Sequence, residues 1–453
     1  MQLRSGLRLG SSEVVSIVGG GGKTTLMFRL AEEIAAIGGR VVTTTTTRIF
    51  AAQTSIAPVH LVAEHTGAFL DELKLMLEEY PHILVTGPVS GNSDKAYGIS
   101  PELVNDIFVV GSDSDLTVVV EADGSRMRSL KAPADHEPVI PHCTTTVVPV
   151  VGADIFDLLL NDKNVHRSGL VADMLDISSE SRVTPEVVAR LLLHQLGGMK
   201  QVPDDSRWIP FINKVSLQSQ KQLAADTAQL LLKGGAREVL VGALLNEDPT
   251  IKRYSKVAAI VLAAGGSTRI GKGMDIKQML PWGKGTLVTR VAEAAIRSEV
   301  DIIKVVVGNQ ANRVSAVLTD MSVDIVCNTK WSDGQSGSVR VGLDSLDENI
   351  SGAIFLLVDQ PNVGPELINA IIDRFYETGA PIVAPRVAGR NANPVLFDRD
   401  LWPGLHMIEG DQGGRELIER YYDEVAWVDW NDDILTEINT SADYNLMEAC
   451  VSE

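Results

Sequence analysis

Short apolar runs alternate with helical patterns through the first half of the chain. Strands are predicted at residues 14–18, 40–46, 82–86, 116–121, 145–150, 208–212 and 238–243, and a helix at residues 23–37. Strands that alternate with helices in this way form a mainly parallel sheet with helices on both faces. Such sheets bind ligands at the carboxyl ends of their strands.

The same alternation restarts after a polar stretch at residues 246–256, NEDPTIKRYSK. Strands are predicted at 258–263, 303–308, 323–326, 353–358, 381–384, 394–397 and 425–428, and helices at 286–298 and 365–377. A chain of 453 residues is also longer than a single core usually grows. We therefore predict two α/β domains, residues 1–250 and 256–453, joined by the polar stretch.

The charge balance excludes two classes of partner. The chain has 40 Lys and Arg residues against 59 Asp and Glu residues, so its net charge is −19. A protein without a basic excess is poorly suited to nucleic acid or to an anionic membrane, and we expect neither as a partner. Any anionic ligand must be held by locally placed cations and backbone amides.

The cysteines and the apolar runs indicate the cellular compartment. Cys143, Cys327 and Cys450 are far apart and form no CxxC pair, which argues against a disulfide framework or a zinc site. The first residues lack the apolar core of a signal peptide, and no run approaches the ~20 apolar residues that span a bilayer. These features favour a cytoplasmic protein.

A glycine-rich loop follows the first predicted strand and opens the first predicted helix. It consists of Gly19, Gly20, Gly21, Gly22, Lys23, Thr24 and Thr25. This is the context of a phosphate-binding loop, because a helix amino terminus attracts anions. Lys23 would bind the terminal phosphates of ATP or GTP, and Thr24 would offer its hydroxyl to Mg²⁺. The loop is shorter than GxxxxGK[ST], since Ile17 stands where the first glycine is expected. The alternative is a glycine-rich turn with an exposed lysine.

Two further elements of the first half fit a nucleotide site. Glu121 and Asp123 lie at the end of a predicted strand, where Glu121 or Asp123 would hold Mg²⁺. The alternative is that these carboxylates only cap a turn. Asn213 and Lys214, in FINKVS, are similar to the NKxD element that binds a guanine base. Ser216 stands where the aspartate is expected, and an ordinary polar strand end is equally consistent.

Several blocks of the first half resemble the YqeC family. They are VGGGGKTTLMFRLA, the threonine run at 43–47 followed by Arg48, EADGSRMRSLKAPADHEPVIP, and HQLGGMKQVPDDSRWIPFINKVS. The resemblance covers about residues 11–246 and implies a P-loop NTPase-like parallel sheet. It also implies an accessory role beside molybdenum hydroxylases, which are possibly selenium-dependent, so that an apo-hydroxylase is a possible partner.

The third of these blocks also carries a polar cluster. Its members are Arg126, Arg128, Lys131, His136 and Glu137. They would bind a second substrate, or they belong to a solvated loop anchored by prolines.

A second phosphate loop follows the first strand of the second half, in VLAAGGSTRIGKGMDIKQMLPW at 261–282. The small residues Ala263, Ala264, Gly265, Gly266 and Ser267 let backbone N–H groups close on phosphate oxygens. Arg269 and Lys277 supply the countercharge that a triphosphate needs. Lys272 competes with Lys277 for this role. We predict a nucleotide triphosphate site here.

Later segments of the second half supply the other groups that nucleotidyl transfer requires. Asp359 ends an apolar strand in FLLVDQP, where a carboxylate can hold Mg²⁺. Gly334, Ser336 and Ser338 lie at a predicted helix start and suit a base and ribose, and Asn393, Asp411 and Arg415 lie in polar turns that would position the acceptor. Taken singly, such caps and turns are most often structural.

The order of these elements resembles the MobA-like nucleotidyltransferases, and most closely their MocA and YgfJ branch. The resemblance covers about residues 258–447 through LAAGGSTR, LPW, DQP, NPVLF and GDQGGREL. It implies a Rossmann-like fold and the attack of a molybdopterin phosphate on the α-phosphorus of CTP, with release of pyrophosphate. In that branch LAAG accompanies cytidine, so Ala264 favours CTP.

The same resemblance assigns a second metal position. Asn439 stands where the family usually has an aspartate that can hold Mg²⁺ with Asp359. An amide oxygen still coordinates Mg²⁺ but brings no charge. The alternatives to this enzyme are a cytidylyl- or uridylyltransferase for a sugar or polyol phosphate, and a non-catalytic escort that delivers the cofactor.

Overall fold

The computed structural model describes residues 1–63, 67–89, 95–111, 115–245, 251–266, 275–410 and 414–451. The chain divides into two compact units, Met1–Tyr254 and Ser255–Glu453. Both units combine helices with a sheet, so the predicted α/β class is confirmed. Within the described ranges, no helix has the length and apolarity needed to cross a membrane.

The first unit is built on a parallel sheet. Its strands are β1 (Glu13–Gly19), β2 (Arg40–Thr45), β3 (Arg48–Phe50), β4 (Val59–Val62), β5 (His82–Thr86), β6 (Lys95–Tyr97), β7 (Leu116–Glu121), β8 (Leu130–Lys131), β9 (Thr146–Gly152), β10 (Val165–His166), β11 (Arg207–Trp208), β12 (Phe211–Asn213) and β13 (Glu238–Gly242). The main sheet has the order β4-β5-β2-β7-β1-β9-β12-β13, and every one of these pairs is parallel. β3 pairs with β6, and β8 with β10, outside this sheet.

Helices cover both faces of this sheet. They are α1 (Leu3–Gly6), α2 (Lys23–Ala36), α3 (Gly67–Glu79), α4 (Pro101–Gly111), α5 (Ser168–Leu175), α6 (Pro185–Leu193) and α7 (Gln218–Lys233). The central strands are buried on both faces, which explains their continuous Val and Ile runs. α2 packs Leu26, Leu30 and Ile34 into one core, while α6 and α7 contribute to another.

The second unit has a mixed sheet. Its strands are β14 (Ile251–Ala263), β15 (Pro281–Trp282), β16 (Gly285–Thr286), β17 (Ile302–Val307), β18 (Asp324–Cys327), β19 (Ile350–Leu357), β20 (Ile382–Val387), β21 (Arg390–Asn391), β22 (Val395–Asp398) and β23 (Val425–Asp429). The order is β18-β17-β14-β19-β22-β20-β23, and β22 runs antiparallel to both of its neighbours.

The helices of the second unit start at recognisable signals. They are α8 (Leu287–Ile296), α9 (Ala311–Ala316), α10 (Gln335–Asp344), α11 (Pro365–Thr378), α12 (Trp402–His406), α13 (Arg415–Arg420) and α14 (Ser441–Val451). Thr286 caps α8 by accepting a hydrogen bond from the N–H of Thr289. α11 begins at Pro365, whose missing N–H costs nothing in a first turn, and ends before Gly379 in the left-handed conformation.

Two sequence-based predictions need correction. The strand predicted at 208–212 is two short strands, β11 and β12, separated by Pro210, which has no N–H to donate to a ladder. The join predicted at residues 246–256 contains the boundary between the two units, after Tyr254, but its residues from Ile251 onward form a strand. Ile251, Arg253 and Ser255 are buried in alternation there, so the period-two pattern of a strand runs through the polar sequence.

His82 gives the first unit a predicted acid sensitivity. Burial lowers the pKa of this imidazole from its ordinary value of 6.5 to about 4. Its Nε2 lies 2.9 Å from the Thr43 hydroxyl. The folded state disfavours the charged ring. The contribution of the neutral His82 to the free energy of unfolding is therefore complete above pH 6.5 and is lost as the pH falls towards 4. The loss approaches about 3 kcal/mol, at about 1.4 kcal/mol per pKa unit.

Calorimetry on the wild type and on His82→Gln at pH 7, 5.5 and 4 measures this contribution. The wild type should lose more stability than the variant over that range, and the difference isolates His82. Identical pH dependence of the two proteins would contradict the assignment.

Candidate functional site

The candidate site of the second unit lies at the carboxyl ends of β14 and β19. These central strands pair in parallel, and Leu262 is opposite Leu357. β14 ends at the buried Ala263, and the loop after it begins with Ala264, which is buried, and Gly265, which is exposed. Asp359 follows β19 by two residues. The register therefore places the phosphate loop and the predicted metal ligand at the same edge.

Three predicted residues meet at this edge. The Lys277 ammonium lies 2.9 Å from Oδ2 of Asp359 and 3.5 Å from the amide oxygen of Asn439. The backbone carbonyl of Asp359 accepts the N–H of Ile438, which fixes the Asn439 segment beside β19. Residues 162 positions apart are thus brought into contact.

The second carboxylate oxygen of Asp359 is of particular interest. Oδ1 is buried and accepts no hydrogen bond from any of the described residues. A buried anionic oxygen without a partner is costly unless a cation or donor completes it. No group of three or more His, Cys, Asp or Glu residues suited to a metal occurs among the described residues. Carboxylate and amide oxygens fit Mg²⁺, and Asp359 and Asn439 are the two predicted ligands of this kind that meet at Lys277.

Gln278 supports the phosphate loop and was not predicted from the sequence. It is almost fully buried, and its Nε2 donates to the backbone carbonyls of Ala263 (3.0 Å) and Gly265 (2.8 Å). These bonds turn the two carbonyls towards Gln278. Its position directly after Lys277 is the only sequence signal for this role.

The predicted base and ribose residues lie at the start of α10. Gly334 precedes the helix at a φ of 112°, which favours glycine. The Ser338 hydroxyl accepts a hydrogen bond from the Asn328 amide at 3.0 Å. The Ser336 hydroxyl is buried and has no partner among the described residues, while its N–H donates to Gly410. Ser336 is therefore the hydroxyl at this helix start that lacks a partner.

The predicted acceptor residues Asn393 and Arg415 line one cavity of about 740 Å³. Its apolar floor comes from the sheet, including Phe355 and Phe397, and Gln335 contributes to its polar rim. This volume and mixture suit a small organic ligand. Ser267, Arg269, Lys272 and Asp411 lie outside the described residues.

The candidate site of the first unit lies at the carboxyl ends of β1 and β7, which also pair in parallel. Lys23 is buried, with an exposure of 4%, so the alternative of an exposed lysine is wrong. Its ammonium donates to the Gly19 carbonyl at 2.8 Å and lies 3.3 Å from Asp123 and 3.6 Å from Glu121. Burial alone lowers the pKa of Lys23, but the two carboxylates outweigh burial and raise it above 10.5.

The two carboxylates have different surroundings. Asp123 accepts hydrogen bonds from the Gly19 N–H at 3.0 and 3.1 Å and also pairs with Lys131 at 2.9 Å. Glu121 accepts the Thr24 hydroxyl at 2.7 Å. Because Thr24 is the predicted metal-binding hydroxyl, Glu121 is better placed than Asp123 to share a cation with it.

The glycines of this loop are packed against neighbouring backbone. Gly20 donates to the carbonyl of Val150 and Gly21 to that of Arg128, so these two N–H groups are not directed at a ligand. The groups of this loop that remain suited to an anion are the N–H groups at the start of α2, together with Lys23 and Thr24. Thr25 lies half-buried in the first turn of α2.

Asn213 and Lys214 contact the same region. The buried Asn213 amide donates to the Gly21 carbonyl at 2.9 Å and accepts the N–H of Leu244. The Lys214 ammonium lies 2.8 Å from the Ser129 hydroxyl and 2.9 Å from Asp154. Asn213 thus holds the predicted phosphate loop in place. These backbone contacts account for the burial of Asn213 without a nucleotide base as its partner.

The predicted polar cluster separates into an inner and an outer part. Lys131 is buried between Asp123 and Glu137, and Arg167 binds Glu137 at 2.7 and 3.2 Å. Burial raises the pKa of Glu137, but Arg167 and Lys131 outweigh it and lower it to about 2. His136 is exposed. Arg167 was missed because it lies outside the sequence block that carries the cluster.

Two family models match the chain. The one described as YqeC protein matches residues 15–169, and the one described as MobA-like NTP transferase domain matches residues 259–425. Each matched range includes one of the two loops that the sequence predicts to bind phosphate.

Relatives and solved structures match the same halves. The uncharacterized protein YqeC of Escherichia coli K12 is 33% identical over 180 residues, covering 38% of this chain and 69% of that protein. Nicotine blue oxidoreductase of Paenarthrobacter nicotinovorans is 29% identical over 184 residues, covering 39% of this chain and 88% of that protein. The crystal structure of an Rv0371c homologue from Mycobacterium sp. strain JC1 is 28% identical, with a TM-score of 0.39, and covers 43% of this chain and 96% of that one.

Gly21 should be far less tolerant of a side chain than Gly38. Both have a φ of +83°, but a Cβ on Gly21 would lie 2.2 Å from the Gly152 nitrogen, whereas nothing lies within 4 Å of one on Gly38. Gly38→Ala should therefore cost only the left-handed strain, about 1 kcal/mol. Gly21→Ala should cost roughly 2 kcal/mol more, because backbone must move. Calorimetric unfolding measures both, and equal losses would contradict the packing of the loop.

Proposed function

Since the chain belongs to the YqeC family and carries a MobA-like NTP transferase domain, we propose that its second unit is a molybdenum cofactor cytidylyltransferase. The reaction is the attack of a molybdopterin phosphate on the α-phosphorus of CTP, with release of pyrophosphate. The observation that carries the proposal is the meeting of Lys277, Asp359 and Asn439 beside the loop after β14. A phosphate loop, a cation and a carboxylate are the groups that nucleotidyl transfer needs.

The residues of this edge have distinct roles. Lys277 places a positive charge where negative charge grows on the phosphate oxygens during transfer, and Arg269 adds to it. To do so, the Lys277 ammonium leaves the Asp359 carboxylate and pairs with the phosphates of the nucleotide. Asp359, with Asn439, would hold Mg²⁺, which screens the triphosphate from the anionic acceptor. Asn439 adds no charge, so the affinity for the ion should be lower than with two carboxylates.

The remaining second-unit residues position the two substrates. Ala264, Ser336 and Ser338 would contact the nucleotide, and Ala264 favours CTP because LAAG accompanies cytidine in the family that the sequence resembles. The cavity that contains Asn393 and Arg415 has room for the pterin acceptor. Asp411 would contribute to the same acceptor site.

For the first unit we propose a P-loop NTPase-like site that binds ATP or GTP. Lys23 and the amino terminus of α2 would hold the phosphates, and Thr24 with Glu121 or Asp123 would hold Mg²⁺. This unit would serve the maturation of an apo molybdenum hydroxylase, possibly a selenium-dependent one, in the cytoplasm. Lys23 is buried against two carboxylates in this unit, and we propose that nucleotide phosphates replace those carboxylates as partners of Lys23.

Asp359→Asn tests the proposed transferase. It removes the charge that holds the metal, so pyrophosphate release from CTP, Mg²⁺ and molybdopterin should fall about 10²-fold or more. Asp324→Asn is the matched control, because Asp324 also pairs with a lysine, Lys304 at 2.8 Å, on the exposed edge of the same sheet. This control should keep the wild-type rate.

The same assay separates the alternative functions. Release of pyrophosphate only with GTP, or only with sugar or polyol phosphates as acceptors, would contradict the molybdopterin cytidylyltransferase. If Asp359→Asn lost turnover but still delivered cofactor to the hydroxylase in cells, the non-catalytic escort would be favoured instead.

Lys23→Ala tests the nucleotide site of the first unit. Loss of the ammonium should weaken ATP or GTP binding at least tenfold by calorimetry, since a charge-assisted contact contributes roughly 1.5–3 kcal/mol. Arg29→Ala, which removes a half-buried cation of the same helix that pairs with Glu32, should bind as the wild type does. Unchanged binding by Lys23→Ala would show that this loop does not hold the phosphates.

A further inference from the structure

The loop that follows β7 borders the phosphate loop of the first unit. The Gly21 N–H donates to the carbonyl of Arg128 at 3.1 Å, and a Cβ on Gly20 would lie 2.4 Å from that same oxygen. The loop then enters β8, which pairs with β10 so that Lys131 is opposite His166. The backbone of this loop therefore packs directly against the glycines of the proposed phosphate loop, and β10 is the next strand beyond it.

The backbone of this loop is held in an unfavourable conformation. Arg126 and Met127 are consecutive non-glycine residues with φ angles of 49° and 61°. Each left-handed residue costs about 1–2 kcal/mol, and such strain clusters at functional sites. The conformation leaves the Arg126 side chain exposed and Met127 84% exposed. Burial of these side chains therefore does not compensate for the strain.

Arg126 also lacks a counter-ion. It forms no hydrogen bond or ion pair with any residue of the described ranges. The neighbouring Arg128 uses only its Nε, to the Asp162 carbonyl at 3.3 Å, while the Asp162 carboxylate accepts the hydroxyl and N–H of Ser168. The terminal nitrogens of Arg128 form no hydrogen bond with any of the described residues.

The field around these arginines is positive although the whole chain has a net charge of −19. Glu137 is already shared by Lys131 and Arg167, and Asp123 by Lys23 and Lys131. Burial, followed by Arg167, Lys131 and Arg126, lowers the pKa of His166 despite Glu137. His166 is therefore neutral at pH 7 and retains one ring N–H to donate.

We infer that Arg126, Arg128 and His166 form a binding site for a second, phosphate-bearing substrate next to the nucleotide site of the first unit. Arginine suits this ligand because its planar guanidinium binds phosphate oxygens in pairs. This inference rests on the proposed nucleotide site, because the first unit would then bring a nucleotide and an anionic substrate together. The ligand is inorganic phosphate or a phosphomonoester of a small molecule.

Two single variants of the full chain separate this site from the nucleotide site. Calorimetric titrations use inorganic phosphate, methyl phosphate as the phosphomonoester, and a non-hydrolysable ATP analogue. Arg126→Ala should raise the dissociation constant of the phosphate probe at least tenfold and leave that of the analogue unchanged. Lys23→Ala should do the opposite. Arg126→Lys should recover part of the phosphate affinity, and the control Arg29→Ala should change neither dissociation constant.

The outcomes are distinguishable. A preference for methyl phosphate over inorganic phosphate identifies an ester as the substrate class, and the reverse identifies the free ion. Wild-type phosphate binding by Arg126→Ala, or no phosphate binding by the wild type, overturns the second site. A third outcome is that every variant still binds the ATP analogue while Arg126→Ala loses phosphate binding. This result supports the second site and contradicts the proposed nucleotide site.

Discussion

The parallel pairing of the two central strands in each sheet is the constraint on which both sites depend. In the second unit, Leu262 opposite Leu357 brings Lys277 within 2.9 Å of Asp359. A slip of two residues between these strands would keep the same side chains in the core but move Asp359 by about 7 Å. The buried faces alone therefore do not fix the site. The loops and Asn439 segment must hold the register that the chemistry requires.

The two units arrange the same kind of lysine differently. Lys23 is buried between two carboxylates and a carbonyl, whereas Lys277 is partly exposed beside Asp359 and Asn439. Under the proposed function, phosphates would replace the partners of Lys23 as they enter, because a buried charge left without a partner is costly. Lys277 can leave Asp359 more readily because water reaches it. This contrast suits a first unit that responds to nucleotide and a second unit that turns over.

The sequence predicted most of what depends on local pattern. Apolar runs located the central strands, and the glycine-rich segments predicted to bind phosphate do follow β1 and β14. What it missed depends on distant contacts. Gln278 as a support of the loop after β14, and Arg167 as a partner of Glu137, follow only from the folded chain. The polar start of β14 was also missed, because its Arg253 and Ser255 are buried, against the usual preference of such residues.

The most direct measurement is a crystal structure of the full chain with CTP and Mg²⁺. The account predicts that the triphosphate lies against Ala263–Gly266, with the metal on the Oδ1 of Asp359 and Lys277 on the phosphates rather than on Asp359. CTP bound elsewhere, or bound at this edge with the Lys277–Asp359 pair intact, would contradict the account.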